Sequence, residues 1–298
     1  MADWYFRSRP GGGGPEICPR SRRLVRPGGA VSPYCARRLR PEGGWRARAR
    51  TFLRRPDAAT RLLLGLIILA FVAQWAVELL LSGAGRGGGF YPLNAKAMAN
   101  YLLGGSSARL VFDRHEYWRL AAYIFLHAGF IHIFFNGWML LDLGRLVEAA
   151  RGARETFAVF VLTGIGAGLF SCLCKAAGGQ DSLTIGASGS ICGLLGLLLG
   201  HECRMRRPGL AALFESGLMR SCVYILIFGL VVPGIDNAAH LGGLISGGAL
   251  GYYLPAAGAG RLGSPAARLR AAAPAASLAM LLAAFLFALY NCVSALLF

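Results

Sequence analysis

Seven apolar runs, at 62–81, 128–146, 157–174, 184–200, 217–232, 238–254 and 276–298, constrain this chain more than any other feature. Crossing a bilayer takes about 20 apolar residues as a helix, because every backbone N–H and C=O must be satisfied within the segment. Hydrophobic residues make up 55% of the chain and charged ones only 15%, too apolar a balance for an ordinary soluble domain. The expected fold is therefore all-α: a polytopic membrane protein with a six-helix bundle over 62–254. A linker rich in Ala, Gly, Pro and Arg follows at 255–275, and one further C-terminal transmembrane helix at 276–298.

A net charge of +17 spread over a soluble face would point to nucleic acid. Here the Arg residues crowd instead into residues 1–61 and a few loops, a pattern that reads as topology and leaves no nucleic-acid partner expected. If the Arg-rich segment is cytoplasmic, the loops after the second, fourth and sixth spans should be basic. They hold Arg145, Arg151 and Arg154; Arg204, Arg206, Arg207 and Arg220; and Arg261, Arg268 and Arg270. The short loops on the other side hold Lys175, Asp181 and Asp236, while the long first loop runs against the rule with Arg86, Lys96, Arg109, Arg114 and Arg119. The N-terminus is therefore expected inside.

Residues 1–61 lack the apolar core of a secretory signal, and Asp3, Glu16, Glu42 and Asp57 argue against a transit peptide. The segment reads as a retained, flexible basic tail. Within it, Cys18-Pro19-Arg20-Ser21 and Ser32-Pro33-Tyr34-Cys35 resemble a degenerate zinc ribbon at 18–35 in which two ligands have become Ser. Two Cys without His do not complete a tetrahedral site, and chance spacing in a coil is the alternative. Cys172, Cys174, Cys192, Cys203, Cys222 and Cys292 read as small core residues.

Polar residues inside the spans carry the chemistry. His132 and Asn136 are four apart and share a helix face, with His127 about a turn and a half earlier. Polar groups at that depth are costly unless they are buried in protein or line water, so they mark either a site or inter-helix hydrogen bonds. Gly186-Ala187-Ser188-Gly189 opens the fourth span, as a placed hydroxyl or merely as a small-residue helix start. The second, fourth and sixth spans run in the same direction, so His127, His132, Ser188 and His240 lie near ends on one side of the membrane. Gly243, Gly247 and Gly251 on the sixth span can meet Gly189, Gly193, Gly196 and Gly200 on the fourth, bringing Ser188 and His240 together.

A serine needs a base to take its proton, and a neutral imidazole, here His240, is suited to that. Free N–H groups at the start of the fourth span, with Asn136 and His132, could hold an oxyanion. Asp236 is one turn before His240 and not evidently placed to orient it, so a dyad is the simpler reading. Trp118-Arg119 in the long loop fits a headgroup-zone segment whose indole and guanidinium stay wet.

Taken in order, Trp118-Arg119, His127-xxxx-His132-xxx-Asn136, Gly144-xxx-Glu148-xxx-Gly152, Gly186-Ala187-Ser188-Gly189 and Ala239-His240-xx-Gly243-xxx-Gly247 resemble the rhomboid intramembrane serine proteases. The resemblance implies a dyad of Ser188 as nucleophile and His240 as general base. His132 and Asn136 would hold the oxyanion, with Gly186, Gly189 and His127 in support. It also implies cleavage in or near transmembrane segments of single-pass membrane proteins, within the lipid bilayer, with no metal and no organic cofactor.

Two departures stand out. Cys192 occupies the position, four after the nucleophile, where many members carry an aromatic that stacks on the catalytic His. A seventh span is typical of eukaryotic secretase-type members, whereas the ribbon-like tail points to a bacterial cell membrane. The competing function is a catalytically inactive rhomboid-like protein that binds transmembrane clients. A transporter reading lacks paired membrane carboxylates and any internal repeat.

Overall fold

The computed structural model describes residues 16–17, 24–25, 55–84, 95–206, 216–254 and 265–297. The chain divides into two compact units, Met1–Arg55 and Pro56–Phe298. In the first, Glu16–Ile17 and Leu24–Val25 form a two-residue antiparallel pair with Glu16 opposite Val25. The rest of the zinc-ribbon-like piece lies outside the described residues, as do most of the basic tail and residues 255–264 of the expected linker.

The second unit is all-helical. It comprises α1 (Ala58–Ala84), α2 (Ala95–Leu103), α3 (Ala108–Phe112), α4 (Arg119–Ala122), α5 (Phe130–Arg151), α6 (Ala153–Ala177), α7 (Ser188–Arg206), α8 (Gly217–Val231), α9 (Asn237–Tyr253) and α10 (Pro265–Leu297). Each apolar run has its helix. Among the described residues α1, α5, α6 and α10 are long and apolar enough to cross a membrane, and α8 is a shorter apolar helix. The protein is an all-α polytopic membrane protein, with outward faces still apolar: Leu69, Ile131, Leu230 and Phe285 are all at least 64% exposed.

α7 forms the centre. Ile191, Leu194 and Leu197 pack with Leu63 and Ile67 of α1, Leu140 and Val147 of α5, and Phe160 of α6. The interface with α9 has almost no side chains in it. A Cβ on Gly243 would fall 2.1 Å from the Gly189 carbonyl oxygen, one on Gly247 1.9 Å from that of Gly193, and one on Gly251 2.0 Å from that of Leu197. From the other side, a Cβ on Gly196 or Gly200 would strike the Leu244 or Gly248 carbonyl. Only glycine at these positions lets the two backbones touch.

The C-terminal end of α5 meets the start of α1 through Glu148 and Gly144. Glu148, 4% exposed, accepts from Ala59 N (2.9 Å), Thr60 N (2.9 Å) and Thr60 Oγ1 (2.7 Å). Its carboxylate thereby satisfies N–H groups that α1 cannot pair itself, at the positive end of that helix dipole. A Cβ on Gly144 would sit 2.8 Å from Thr60, so glycine is needed for α1 to come this close. Gly152 at φ 82° ends α5 and turns the chain into α6.

The long first loop is a structured platform of α2, α3 and α4, and here one expectation is corrected. Arg119 is 1% exposed rather than wet. Its guanidinium pairs with Glu116, donates to the Tyr101 and Gly105 carbonyls, and lies 4.8 Å and 4.7 Å from the Tyr101 and Trp118 ring centroids. The loop folds back on itself, so its carbonyls are better partners for the cation than water at the interface.

α10 packs on the body, against α6, α2 and α4. Phe287 stacks on Trp118 with centroids 6.0 Å apart, and Arg270 pairs with Glu155, which also holds Arg151. The helix begins at Pro265, well before residue 276, because the Ala-rich stretch around Arg268 and Arg270 favours helix and runs through Pro274.

Candidate active site

The site is built around Gly186. This residue adopts φ +127°, and its N–H donates to the Tyr123 carbonyl. A Cβ here would lie 2.9 Å from His132 Nε2, 2.8 Å from His132 Cε1 and 3.9 Å from Ser188 Oγ. Both the backbone angle and the missing side chain are therefore required for the His132 imidazole to settle beside the start of α7.

Ser188 is the first residue of α7 and half-buried. The first amide of this turn to find a main-chain acceptor is Ile191 N, bonded to Ala187 O. The N–H groups of Ser188, Gly189 and Ser190 precede it and face the same end of the helix, where a developing negative charge is favoured. His132 adds a fourth donor. Ala128 N–H can only donate, and it lies 3.2 Å from His132 Nδ1, so that nitrogen is the acceptor and the neutral ring carries its proton on Nε2, beside Gly186. Asn136 is buried one turn on and donates one amide hydrogen to the His132 carbonyl at 2.9 Å, which leaves the other available. The His127 ring stands 5.0 Å from that of His132, centroid to centroid, and its Nδ1 meets the Phe125 carbonyl at 3.1 Å.

His240 comes from the neighbouring helix. It is 6% exposed in the first turn of α9, next to Ala239, whose carbonyl would be 3.5 Å from a Cβ on Gly189. Thus the Gly189–Gly243 contact sets the Ser188 turn against the His240 turn. In this conformation no hydrogen bond joins Ser188 Oγ to His240, and His240 Nδ1 has no partner among the described residues. Resting sites often show such long geometry. Cys192, 1% exposed, fills the space beside Gly243 with a thiol in place of an aromatic ring.

Asp236 is occupied elsewhere. Its Oδ1 accepts from Ala239 N and caps α9, while Oδ2 accepts from Ser171 Oγ (2.6 Å) and Thr184 Oγ1 (2.7 Å) and pairs with Lys175 Nζ (2.9 Å). Burial pushes the carboxyl up, but the bonds from Ser171, Lys175, the Ala239 N–H and Thr184 outweigh it and hold the pKa at about 2. Thr184 N and O both bond to Ser106, tying this network to the first loop. Asp236 therefore fixes the start of α9 and the strand-like stretch before Ser188 without touching the imidazole.

Some of these residues were not evident from the sequence. Tyr123 is 1% exposed and donates to the Gly164 carbonyl, with its ring under Gly168. Gln74 bonds to Asn100 and to the main chain of His127. Their signal was faint, a polar atom in an apolar run with a partner tens of residues away.

Fold and site together define an integral membrane protein with Ser and His side chains gathered at the ends of buried helices. Residues 114–257 match the model of the Rhomboid domain, so this part of the chain is similar to the rhomboid family. It is 34% identical over 157 residues to RHOMBOID-like protein 5 of Arabidopsis thaliana, covering 51% of this chain and 48% of the relative. Identity to the rhomboid protease GluP of Bacillus subtilis is 33% over 157 residues, 52% of this chain and 30% of that one. With Rhomboid-like protease 1 of Toxoplasma gondii it is 32% over 142 residues, 46% of each. The matched region spans about half the length of the first plant relative or less in the others. These relatives come from plant, bacterium and parasite alike and lend no support to a specifically bacterial membrane.

Proposed function

We propose that the chain is an intramembrane serine endopeptidase that cleaves peptide bonds in or near transmembrane segments of single-pass membrane proteins. The observation that carries this reading is the hollow at Gly186, where a proton-bearing His132 nitrogen, Ser188 Oγ and the free N–H groups of α7 converge while α9 brings His240 against the same turn.

In this mechanism Ser188 Oγ attacks the scissile carbonyl as His240 takes its proton. The resulting oxyanion accepts from His132 Nε2–H, from the α7 amides and from Asn136. The tetrahedral intermediate collapses with His240 giving the proton to the departing amine. Water then attacks the acyl-serine by the same route in reverse roles, releasing the acid and restoring Ser188. The basic loops after the second, fourth and sixth apolar runs support a reading with the N-terminal segment on the cytoplasmic side and this site toward the opposite face.

The test is fluorophosphonate labelling of the purified protein in detergent, comparing wild type with Ser188→Ala and His240→Ala. Labelling that needs both residues is expected. Equal, background labelling of folded wild type and Ser188→Ala would favour the second reading, a client-binding protein without activity. Cys192 beside the α9 backbone is what keeps that alternative in play, because no ring backs the imidazole. Restoration of labelling by Cys192→Tyr would separate a disabled site from a binding-only role.

A further inference from the structure

We propose that Gln74, on the lipid-facing first helix, is a positioning residue that sets the tautomer and placement of His132 by clamping the main chain of His127; this rests on the protease reading above. Gln74 is 2% exposed on a helix whose neighbours Val72 and Trp75 are 53% and 52% exposed. A primary amide in such a place is costly unless its groups are satisfied, and here they are. Nε2 donates to the His127 carbonyl (2.8 Å) and to Asn100 Oδ1 (2.8 Å), and Oε1 accepts from His127 N (3.0 Å). The reciprocal pair with one residue's N–H and C=O fixes which end of the amide is which, since the N–H only donates and the C=O only accepts.

The next peptide unit carries the effect forward. Ala128 N–H points to His132 Nδ1 at 3.2 Å and so leaves the ring's proton on Nε2, against Gly186. Residues 127–129 lie between the turn ending at Phe125 and the start of α5, in no helix of their own. One side of this stretch is a cavity of about 200 Å³ lined by Gln74, Trp75, Lys96 and His127, and although the His127 side chain is fully buried, it is the Gln74 amide that reaches its main chain on this side. Among the hydrogen bonds of residue 127, the ring nitrogen is tied to the Phe125 carbonyl and the main chain to the Gln74 amide. A slip of a few tenths of an ångström would break the Ala128 bond and free His132 to carry its proton on the wrong nitrogen.

The experiment pairs two readouts on wild type, Gln74→Met and Gln74→Glu. The first is the rate of fluorophosphonate labelling. The second is the ¹⁵N spectrum of histidine-labelled protein in detergent, with His132 assigned by its loss in His132→Ala. Wild type should show His132 protonated on Nε2. Gln74→Met, similar in size but unable to make either bond to His127, should label roughly tenfold to a hundredfold more slowly, as expected for a misplaced oxyanion donor, and show mixed tautomers. A buried, protonated Glu keeps one donor and one acceptor for His127, so Gln74→Glu should retain the Nε2–H tautomer and label within about threefold of wild type.

Unchanged His132 signals in Gln74→Met overturn the proposal, whether or not labelling falls, because a merely structural amide would leave the tautomer alone. Wild-type His132 protonated on Nδ1 overturns it without any variant, which covers the case of a Gln74→Met chain that does not fold. If wild type fails to label at all, it is the protease reading that falls, and the spectra still decide the clamp.

Discussion

α9 and α8 pack beside α7, the helix that begins at Ser188, in opposite ways. The α7–α9 seam is main chain on main chain, with glycines interleaved from Gly189 to Gly251 and no flexible side chain to absorb a change. α8 buries one residue among those described, Cys222, and is tied to α9 by Asn237 Nδ2 donating to the Leu226 carbonyl, with Gly229 packed on that same amide. A cleft of about 860 Å³ lies alongside it, lined by Leu146 and Ala150 of α5, Leu198 and His201 of α7, and Leu218 and Ser221 of α8. The lesson is a division of labour. The pair of helices that bears Ser188 and His240 is rigid, while the helix beside it is held by few contacts and belongs to the low-stability end of the fold.

The largest effect should come from filling the seam. Gly247→Leu puts a side chain into the Gly193 carbonyl and should cost about 3 kcal/mol or more, seen as a fall in thermal midpoint in detergent. Leu230→Ala on α8, 80% exposed, should stay within about 0.5 kcal/mol. Comparable losses in the two variants would break the contrast.

Gly186→Ala should act on chemistry more than on fold. The added methyl strains φ +127° and displaces His132, so labelling by a fluorophosphonate should fall about a hundredfold while the protein still melts cooperatively. Full labelling would show that the hollow is not where the oxyanion is held.

The third effect is electrostatic. Asp236 has a folded pKa of about 2 against an ordinary 3.8, so the stability it contributes is complete above about pH 4 and is lost as pH falls through 2. Asp236→Asn should flatten stability against pH in that window, measured by denaturation. An unchanged slope would assign the acid sensitivity to another carboxylate.

Among the buried sites the smallest effect should come from Cys222→Ala, on the order of 1 kcal/mol, since it deletes one small contact. It should nevertheless speed amide exchange in α8 while leaving α9 untouched. Faster exchange in both helices would mean that the two attachments are not independent.

The helices at the seven apolar runs were legible in the sequence because apolar length is a strong signal, although only four of those described are long and apolar enough to cross a membrane, and the glycine spacing on α7 and α9 announced the seam by residue number. Gly186, His132, Ser188 and His240 were legible through order and spacing, although the Gly186 contact with the His132 ring was not, being a matter of one backbone angle. Arg119 shows where reasoning by composition stops. An Arg beside a Trp in an apolar loop reads as interfacial, and only the folded path of residues 101–105 reveals the carbonyls that enclose it. Gln74 and Asp236 were visible as polar letters in apolar surroundings, but their partners at 127, 171, 175 and 184 are set by tertiary structure alone.

Glu148 has a consequence for how the chain is made. The amides of Ala59 and Thr60 are synthesised 88 or 89 residues before the carboxylate that receives them. Until residue 148 has been made, the first helix lacks the carboxylate that caps its N-terminal end. This cap can therefore form only after α5 has been synthesised, and Gln74, which meets His127 just before α5, rides on the same helix.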